Sequence, residues 1–407
     1  MAEGLSHQLT EGDSWLLWDT DPAAFLIGLL ACWQAGVKPV LPANGQAGSL
    51  NAVAAKGIIC SQPLDCVHPA LNPFGFMGQQ LCYPKLGELL LFTSGSTGEP
   101  KGIIKKPGQL LAELCTLEDT FGPVTGNVIS TVSHQHIYGL LFRVLWPLLS
   151  GGVIHRPAIT YPEQLPTLIE QLNSPFWLVT SPAHLERLPE PDIMSQIRGK
   201  LGGLFSSGGL LSERAASAAK RCFGLAPTEV FGSTETGGVA WRRQDRTDKW
   251  QPFAGVSCTR NSDEALVVDS EVSAGTVVMG DKVVLDEAGL FTLNGRCDRI
   301  VKVEQKRLSL NAMDKALMAT EWVVDGRCLL LTSAVRQQLG AVLVLNDSGR
   351  AALQNLGKYA FTQQLRRRLL NEFEPVVLPR RWRLVDTLPV NAQGKVTEQA
   401  LAALFEE

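Results

Sequence analysis

At 407 residues, 45% apolar and 19% charged, the chain has room for two packed domains and is neither disordered nor fibrous. Its 37 basic and 40 acidic residues give a net charge of −3, without the basic field that nucleic acid attracts. Nine scattered cysteines with no C-x-x-C pair argue against a disulfide framework or a zinc site.

The chain opens without a positive n-region and apolar h-region, and no apolar stretch is long enough to span a bilayer. A cytoplasmic protein with neither membrane nor nucleic acid as partner is expected. In chain order, helical spacing covers Pro22–Ala35 and a short strand follows at Val37–Leu41. Glu88–Thr93 is a continuous apolar run of buried-strand type, ending in a Gly-rich turn. Leu110–Phe121 reads as helix, Asn127–Val132 as strand, Pro162–Leu172 as helix and Phe176–Thr180 as strand. The Ala-rich stretch Arg214–Phe223 is helical, and a strand begins at Pro227–Val230. Strands dominate from Val256 to Leu293. The alternation predicts a layered α/β domain.

After Arg296 the pattern resets. A hairpin (Arg299–Val303, Lys306–Ser309), a helix (Ala312–Ala319), two strands, a long helix at Ala351–Phe373, a strand at Arg381–Asp386 and a final helix form a unit of α+β character. Its charge differs too: residues 299–407 hold 16 basic and 11 acidic residues, net +5, whereas residues 1–298 hold 21 and 29, net −8. The expected domains are 1–297 and 298–407, a large layered α/β domain and a small α+β domain joined by a hinge at Asp298.

The strongest local string is Thr93-Ser94-Gly95-Ser96-Thr97-Gly98-Glu99-Pro100-Lys101-Gly102. Closely spaced hydroxyls, glycines and a lysine can wrap phosphate oxygens. It is not a Walker A loop, because Lys101 follows Pro100 rather than Gly. An ordinary strand-to-helix turn is the plain alternative.

This string resembles the phosphate loop of the adenylate-forming superfamily, which includes acyl- and aryl-CoA synthetases, peptide-synthetase adenylation domains and luciferases. Further segments follow in that family's order. Ser133–Gly152 (SHQHIYGLLFRVLWPLLSGG) is similar to its His-x-x-Gly helix, which implies His136 and Tyr138 beside the acyl pocket. Ser207-Gly208-Gly209 resembles the loop along the adenine. Val230-Phe231-Gly232-Ser233-Thr234-Glu235-Thr236-Gly237-Gly238 resembles the motif whose aromatic lies near adenine, whose Thr contacts the α-phosphate and whose Glu ligates magnesium. These roles fall on Phe231, Thr234 and Glu235; Ser207 and Gly237 are implied to floor the substrate pocket. Gly280-Asp281 and Arg296 match the ribose pair, and Asp298 the hinge. Leu388–Lys395 (LPVNAQGK) is similar to the loop bearing the catalytic lysine, here Lys395.

Three departures stand out. The region before Thr93 is short for the family, as though an N-terminal subdomain were trimmed. Gln305 stands where a Gly commonly faces the pantetheine path. The phosphate string runs into Ile103-Ile104-Lys105-Lys106, unusually basic.

The resemblance implies ATP- and Mg²⁺-dependent activation of a carboxylic acid, aryl by preference, to an acyl-adenylate with release of pyrophosphate. It further implies transfer to a pantetheine thiol, with an acyl carrier protein as partner. The basic residues Arg366–Arg368, Arg380, Arg381 and Arg383 suit such a carrier, and the short N-terminus resembles carrier-loading ligases of aryl-polyene clusters. The alternatives are an ordinary acyl-CoA synthetase, an enzyme passing the adenylate to an amine or oxygen, and a nucleotide-binding regulatory module without turnover.

Overall fold

The computed structural model describes residues 1–42, 44–75, 86–94, 100–172, 175–189, 197–273, 275–296, 299–303, 306–332, 337–370, 372–390 and 396–406. Its contacts divide the chain into two units. The first comprises Met1–Cys258, Val268–Val277 and Glu287–Leu290; the second comprises Thr259–Val267, Val278–Asp286 and Phe291–Glu407. This division differs from 1–297 and 298–407, because residues 259–267, 278–286 and 291–296 group with the second unit. Asp298 lies outside the described residues.

The first unit carries two sheets. In one, strands Ala70–Leu71, Ile58–Ile59, Ser14–Leu17, Lys38–Leu41 and Leu89–Ser94 run parallel, and Pro100–Lys105 closes the edge antiparallel to Leu89–Ser94. In the other, Val153–Ile154, Asn127–Ser130, Phe176–Thr180, Leu201–Ser206 and Thr228–Ser233 run parallel. Gly237–Arg242 and Gln251–Pro252 then extend that sheet antiparallel. The apolar runs that read as buried strands are buried: Leu89, Leu91, Val128, Ile129, Leu178 and Val179 are almost wholly out of solvent. Helix Pro22–Gln34 starts where its spacing predicts, with Asp21 accepting from the Ala23 amide as N-cap and proline at the first turn. Aromatic side chains fill the core, with Phe121 meeting Phe205, Trp241 and Phe253 at 5.1–5.9 Å.

The segment read as one helix, Ser133–Gly152, is three. Short α-helical turns at Ile137–Gly139 and Trp146–Ser150 flank a π-helix at Leu140–Leu145. Such wide turns are uncommon and are frequent at functional sites. Arg143 lies fully buried inside it, donating to the carbonyls of Val132 (3.2 Å) and Arg156 (2.6 Å).

In the second unit, Val323–Thr332 and Gln337–Leu345 pair antiparallel and Arg381–Val385 adds a parallel edge. Helices Leu310–Met318, Asp347–Leu369 and Glu398–Ala403 accompany this sheet. The long helix breaks at Gly357, whose φ of 75° is open to glycine and costly for other residues. Arg299 is anchored at the unit's start, donating to Asn311 (2.8 Å), Asp314 (2.5 Å) and the Cys328 carbonyl (2.6 Å). Among the described residues, no helix is long and apolar enough to cross a membrane.

Candidate active site

The phosphate string does not join a strand to a helix. Thr93 and Lys101 are directly opposed in an antiparallel pair, so the string closes a hairpin, and the helix Pro107–Phe121 starts only after the second strand. Residues 95–99, which include Gly95, Ser96, Thr97 and Gly98, lie outside the described residues. The side chain of Ser94 does too. At the described end, the Thr93 hydroxyl donates to the Lys101 carbonyl at 3.4 Å.

The Phe231–Gly238 motif also becomes a hairpin. Strands Thr228–Ser233 and Gly237–Arg242 pair antiparallel, with Thr234–Thr236 as the turn. The turn is pinned reciprocally: the Ser233 amide donates to the Thr236 hydroxyl (3.0 Å), and the Thr236 amide to the Ser233 hydroxyl (3.1 Å). This fixes Thr234 and Glu235 at the tip. Gly232 opposes Gly238, and a side chain at Gly232 would stand 2.1 Å from the Gly237 carbonyl. Outward along the strands, Phe231 packs on Trp250 at 5.5 Å, and Arg242 stacks on Trp250 while pairing with the buried Glu229 at 3.0 Å.

The two hairpins meet. Lys101 Nζ lies 3.6 Å from Glu235 Oε1, so the lysine of one motif faces the carboxylate of the other across 134 positions of chain. Nearby, the Ser207 hydroxyl donates to the Val230 carbonyl at 2.7 Å, and Gly208 takes φ +92°, the conformation that favours glycine. A side chain at Gly209 would meet only Pro182, at 3.8 Å.

Two expectations for the acyl pocket change. Gly237 was expected to leave room for substrate, yet the place of its missing side chain is taken by Val272 Cγ1 (2.4 Å) and both carboxylate oxygens of Glu113 (2.9 Å). Tyr138 packs its ring on Phe142 at 4.9 Å and buries its hydroxyl. Burial pushes that phenol well above its ordinary pKa, so it is a neutral core group. His136 stands half-buried before the Ile137 turn. Its neighbour His134 is buried against Phe25 and beside Arg143, and burial with that cation pulls its pKa down to about 3.

In the second unit, Asp281 and Arg296 are cross-strand partners, with Arg296 Nη1 3.4 Å from Asp281 Oδ2. The two ribose candidates are thus a preformed pair. Lys395 and Gln305 lie outside the described residues.

Sequence reading missed Glu113 altogether and noted Lys105 only as excess charge. Lys105 is 1% exposed and donates to the carbonyls of Val272 (3.2 Å) and Glu235 (3.4 Å). Glu113 is 5% exposed and accepts from the Gly238 amide at 2.7 Å. Only the four-residue spacing of Gln109 and Glu113 hints at a shared helix face.

Comparison with known proteins gives these strings their family. The AMP-binding enzyme family matches residues 88–281, which contain both hairpins. Over that stretch, just under half of the chain, it resembles the AMP-binding enzymes. A 4-coumarate–CoA ligase of Cereibacter sphaeroides is 27% identical over 241 residues, covering 57% of this chain and 54% of that protein. An L-proline–[L-prolyl-carrier protein] ligase of Pseudomonas fluorescens is 25% identical, covering 78% and 68%. ATP-bound MatB from Rhodopseudomonas palustris superposes with a TM-score of 0.75 at 17% identity, covering 100% of this chain and 92% of that one, a likeness of fold. The chain thus spans about half the length of the first of these relatives. The superfamily's large and small domains correspond to the α/β architecture seen here.

Proposed function

We propose that the protein is an AMP-forming acid–thiol ligase. It would join a carboxylic acid to ATP as an acyl-adenylate, release pyrophosphate, and pass the acyl group to a pantetheine thiol. The observation that supports this most is the meeting of Lys101 with Glu235, each delivered by its own motif hairpin.

A carboxylate is a weak nucleophile that the triphosphate repels, so the site must neutralise charge around the α-phosphorus. Lys101 and the hydroxyl-rich string suit the phosphates, and Thr234, at the hairpin tip, would meet an α-phosphate oxygen. Glu235 fits magnesium: it is a hard oxygen donor, about one-third exposed and already facing a cation. A magnesium ion held by Glu235 would supply charge neutralisation at the triphosphate. Phe231 would border the adenine with Ser207, Gly208 and Gly209; Asp281 and Arg296 would take the ribose. Lys395 would contact the carboxylate and α-phosphate, with residues 298–407 turning about Asp298 between half-reactions.

An aryl acid is the favoured substrate class, a reading supported by the 4-coumarate-acting relative, since Tyr138 and Gly237 no longer argue for it. The acceptor is proposed to be a carrier protein, in line with the prolyl-carrier relative. The test is pyrophosphate release with ATP, Mg²⁺ and a panel of 4-hydroxybenzoate, a cinnamate and a medium-chain fatty acid. Acid-dependent release is expected, fastest with an aryl acid. Nucleotide binding without release for any acid would indicate a regulatory module instead.

A further inference from the structure

The hairpin tip that bears Thr234 and Glu235 is held from beneath by charge. Strand Pro100–Lys105 places Lys101 and Lys105 four residues apart, hence on one face. Lys101 reaches the Glu235 carboxylate and Lys105 the Glu235 carbonyl, so one strand grips that residue by side chain and by backbone. Lys105 also donates to the Val272 carbonyl, which accepts a second bond from Gln109 Nε2 at 2.9 Å. One helical turn beyond Gln109, Glu113 completes the stripe. The register of the hairpin shifts between Phe231 and Gly232, a bulge that interrupts the ladder, and the Gly238 amide turns to Glu113 Oε1.

Buried charges are an expensive way to fill space, and a well-packed apolar pair of similar volume is often more stable. Lys105 and Glu113 nevertheless sit in the core, where burial pulls the Lys105 ammonium below and pushes the Glu113 carboxyl above their ordinary values, and each offsets part of that shift in the other. What an apolar pair could not do is satisfy the Glu235 and Val272 carbonyls and the Gly238 amide, backbone groups that cost free energy if left bare.

We propose that Lys105 and Glu113 are paired positioning residues that set the hairpin tip, and with it the Glu235 carboxylate, at the nucleotide site. The inference rests on the reading of Glu235 as the magnesium-side residue. It accounts for the basic Lys105 downstream of the phosphate string and for glycine at position 237, which lets the Glu113 carboxylate approach the backbone.

The test compares Lys105→Met, Glu113→Gln and the double variant in the full chain. Each single change strands one buried charge, so each should lower the melting temperature. The double variant, neutral at both positions, should recover most of that loss. A purely structural pair would then be restored in every respect. A positioning pair would not, because methionine cannot donate to the Glu235 and Val272 carbonyls. In the double variant, amide hydrogen exchange of the peptide spanning 233–240 should stay faster than in the parent. The KM for ATP should stay raised by roughly tenfold, the scale of a misplaced binding group, with less change in the KM for the acid. Parent-like exchange at 233–240 in the double variant would overturn the proposal. Hydrogen exchange is read without turnover, so it decides the question even if the parent protein activates no acid.

Discussion

Glu235 shows how much one side chain depends on its setting. A glutamate between Ser-Thr and Gly-Gly would ordinarily be a solvated charge, but here its backbone is bonded by Lys105 and its carboxylate faces Lys101. Glu235→Gln keeps the shape and removes the charge that the proposed magnesium site needs. Its rate at saturating ATP should fall at least about tenfold, or 1.4 kcal/mol of barrier, while the melting temperature changes little; an unchanged rate would remove Glu235 from the site. His134 illustrates the opposite case, a histidine kept neutral. Its folded pKa of about 3 lies below the ordinary 6.5, so the unfolded chain binds the proton first as pH falls. Its contribution to stability is therefore complete above about pH 6.5 and is lost progressively toward pH 3, amounting to about 2 kcal/mol by pH 5. Denaturant titrations at pH 7 and pH 5 should show that loss, and His134→Gln should reduce it.

At the scale of elements, the proposed site joins two hairpins, and glycine at position 237 lets the second pack closely against Val272 and Glu113. Gly237 has φ +68° and would drive a side chain into Val272 and Glu113, whereas Gly255 has φ +77° with nothing within 4 Å. Gly255→Ala should cost only the left-handed backbone penalty, of order 1 kcal/mol. Gly237→Ala should cost that plus the clash, about 2–4 kcal/mol in all. Equal midpoints in urea for the two variants would show that the Glu113 contact carries no strain. The basic stretch of the second unit divides similarly. Arg366 donates to the Pro379 carbonyl, Arg368 pairs with Glu321 and stacks on Trp322, and Arg381 and Arg383 cap the carbonyls of Phe405 and Leu404. These arginines hold the fold, so reversing Arg366, Arg367 and Arg368 together would confuse docking with unfolding. Arg367 is exposed. Arg367→Glu should leave stability and pyrophosphate release intact and slow carrier loading, increasingly so at low salt; loading at the parent rate would take Arg367 out of the docking surface. Arg366→Glu should lower the melting temperature.

At the scale of the whole molecule, the proposed reaction has two half-steps needing different groups, and the chain has two units. Lys395 is proposed to serve only the first. Lys395→Ala should abolish adenylate formation yet leave thiolation of a supplied acyl-adenylate within about a factor of a few. Equal loss in both would reject that division of labour.

By itself the sequence determined the elements and the chemistry that is contiguous in the chain. Periodicity set the helices and buried strands because each is a local pattern of burial, as Phe176–Thr180 and Pro107–Phe121 show. The phosphate and Glu235 strings were legible because their donors, glycines and charges lie within ten residues of one another. Tertiary structure alone decided the rest. It made both strings hairpins, because strand pairing depends on which segment arrives alongside. It gave the space beside Gly237 to Glu113 and buried the Tyr138 hydroxyl. It brought Lys105 to carbonyls 130 and 167 residues away, where a lysine that reads as a solvated charge becomes a buried donor. Burial and long-range hydrogen bonding are properties of the packed chain, and no window of sequence contains them.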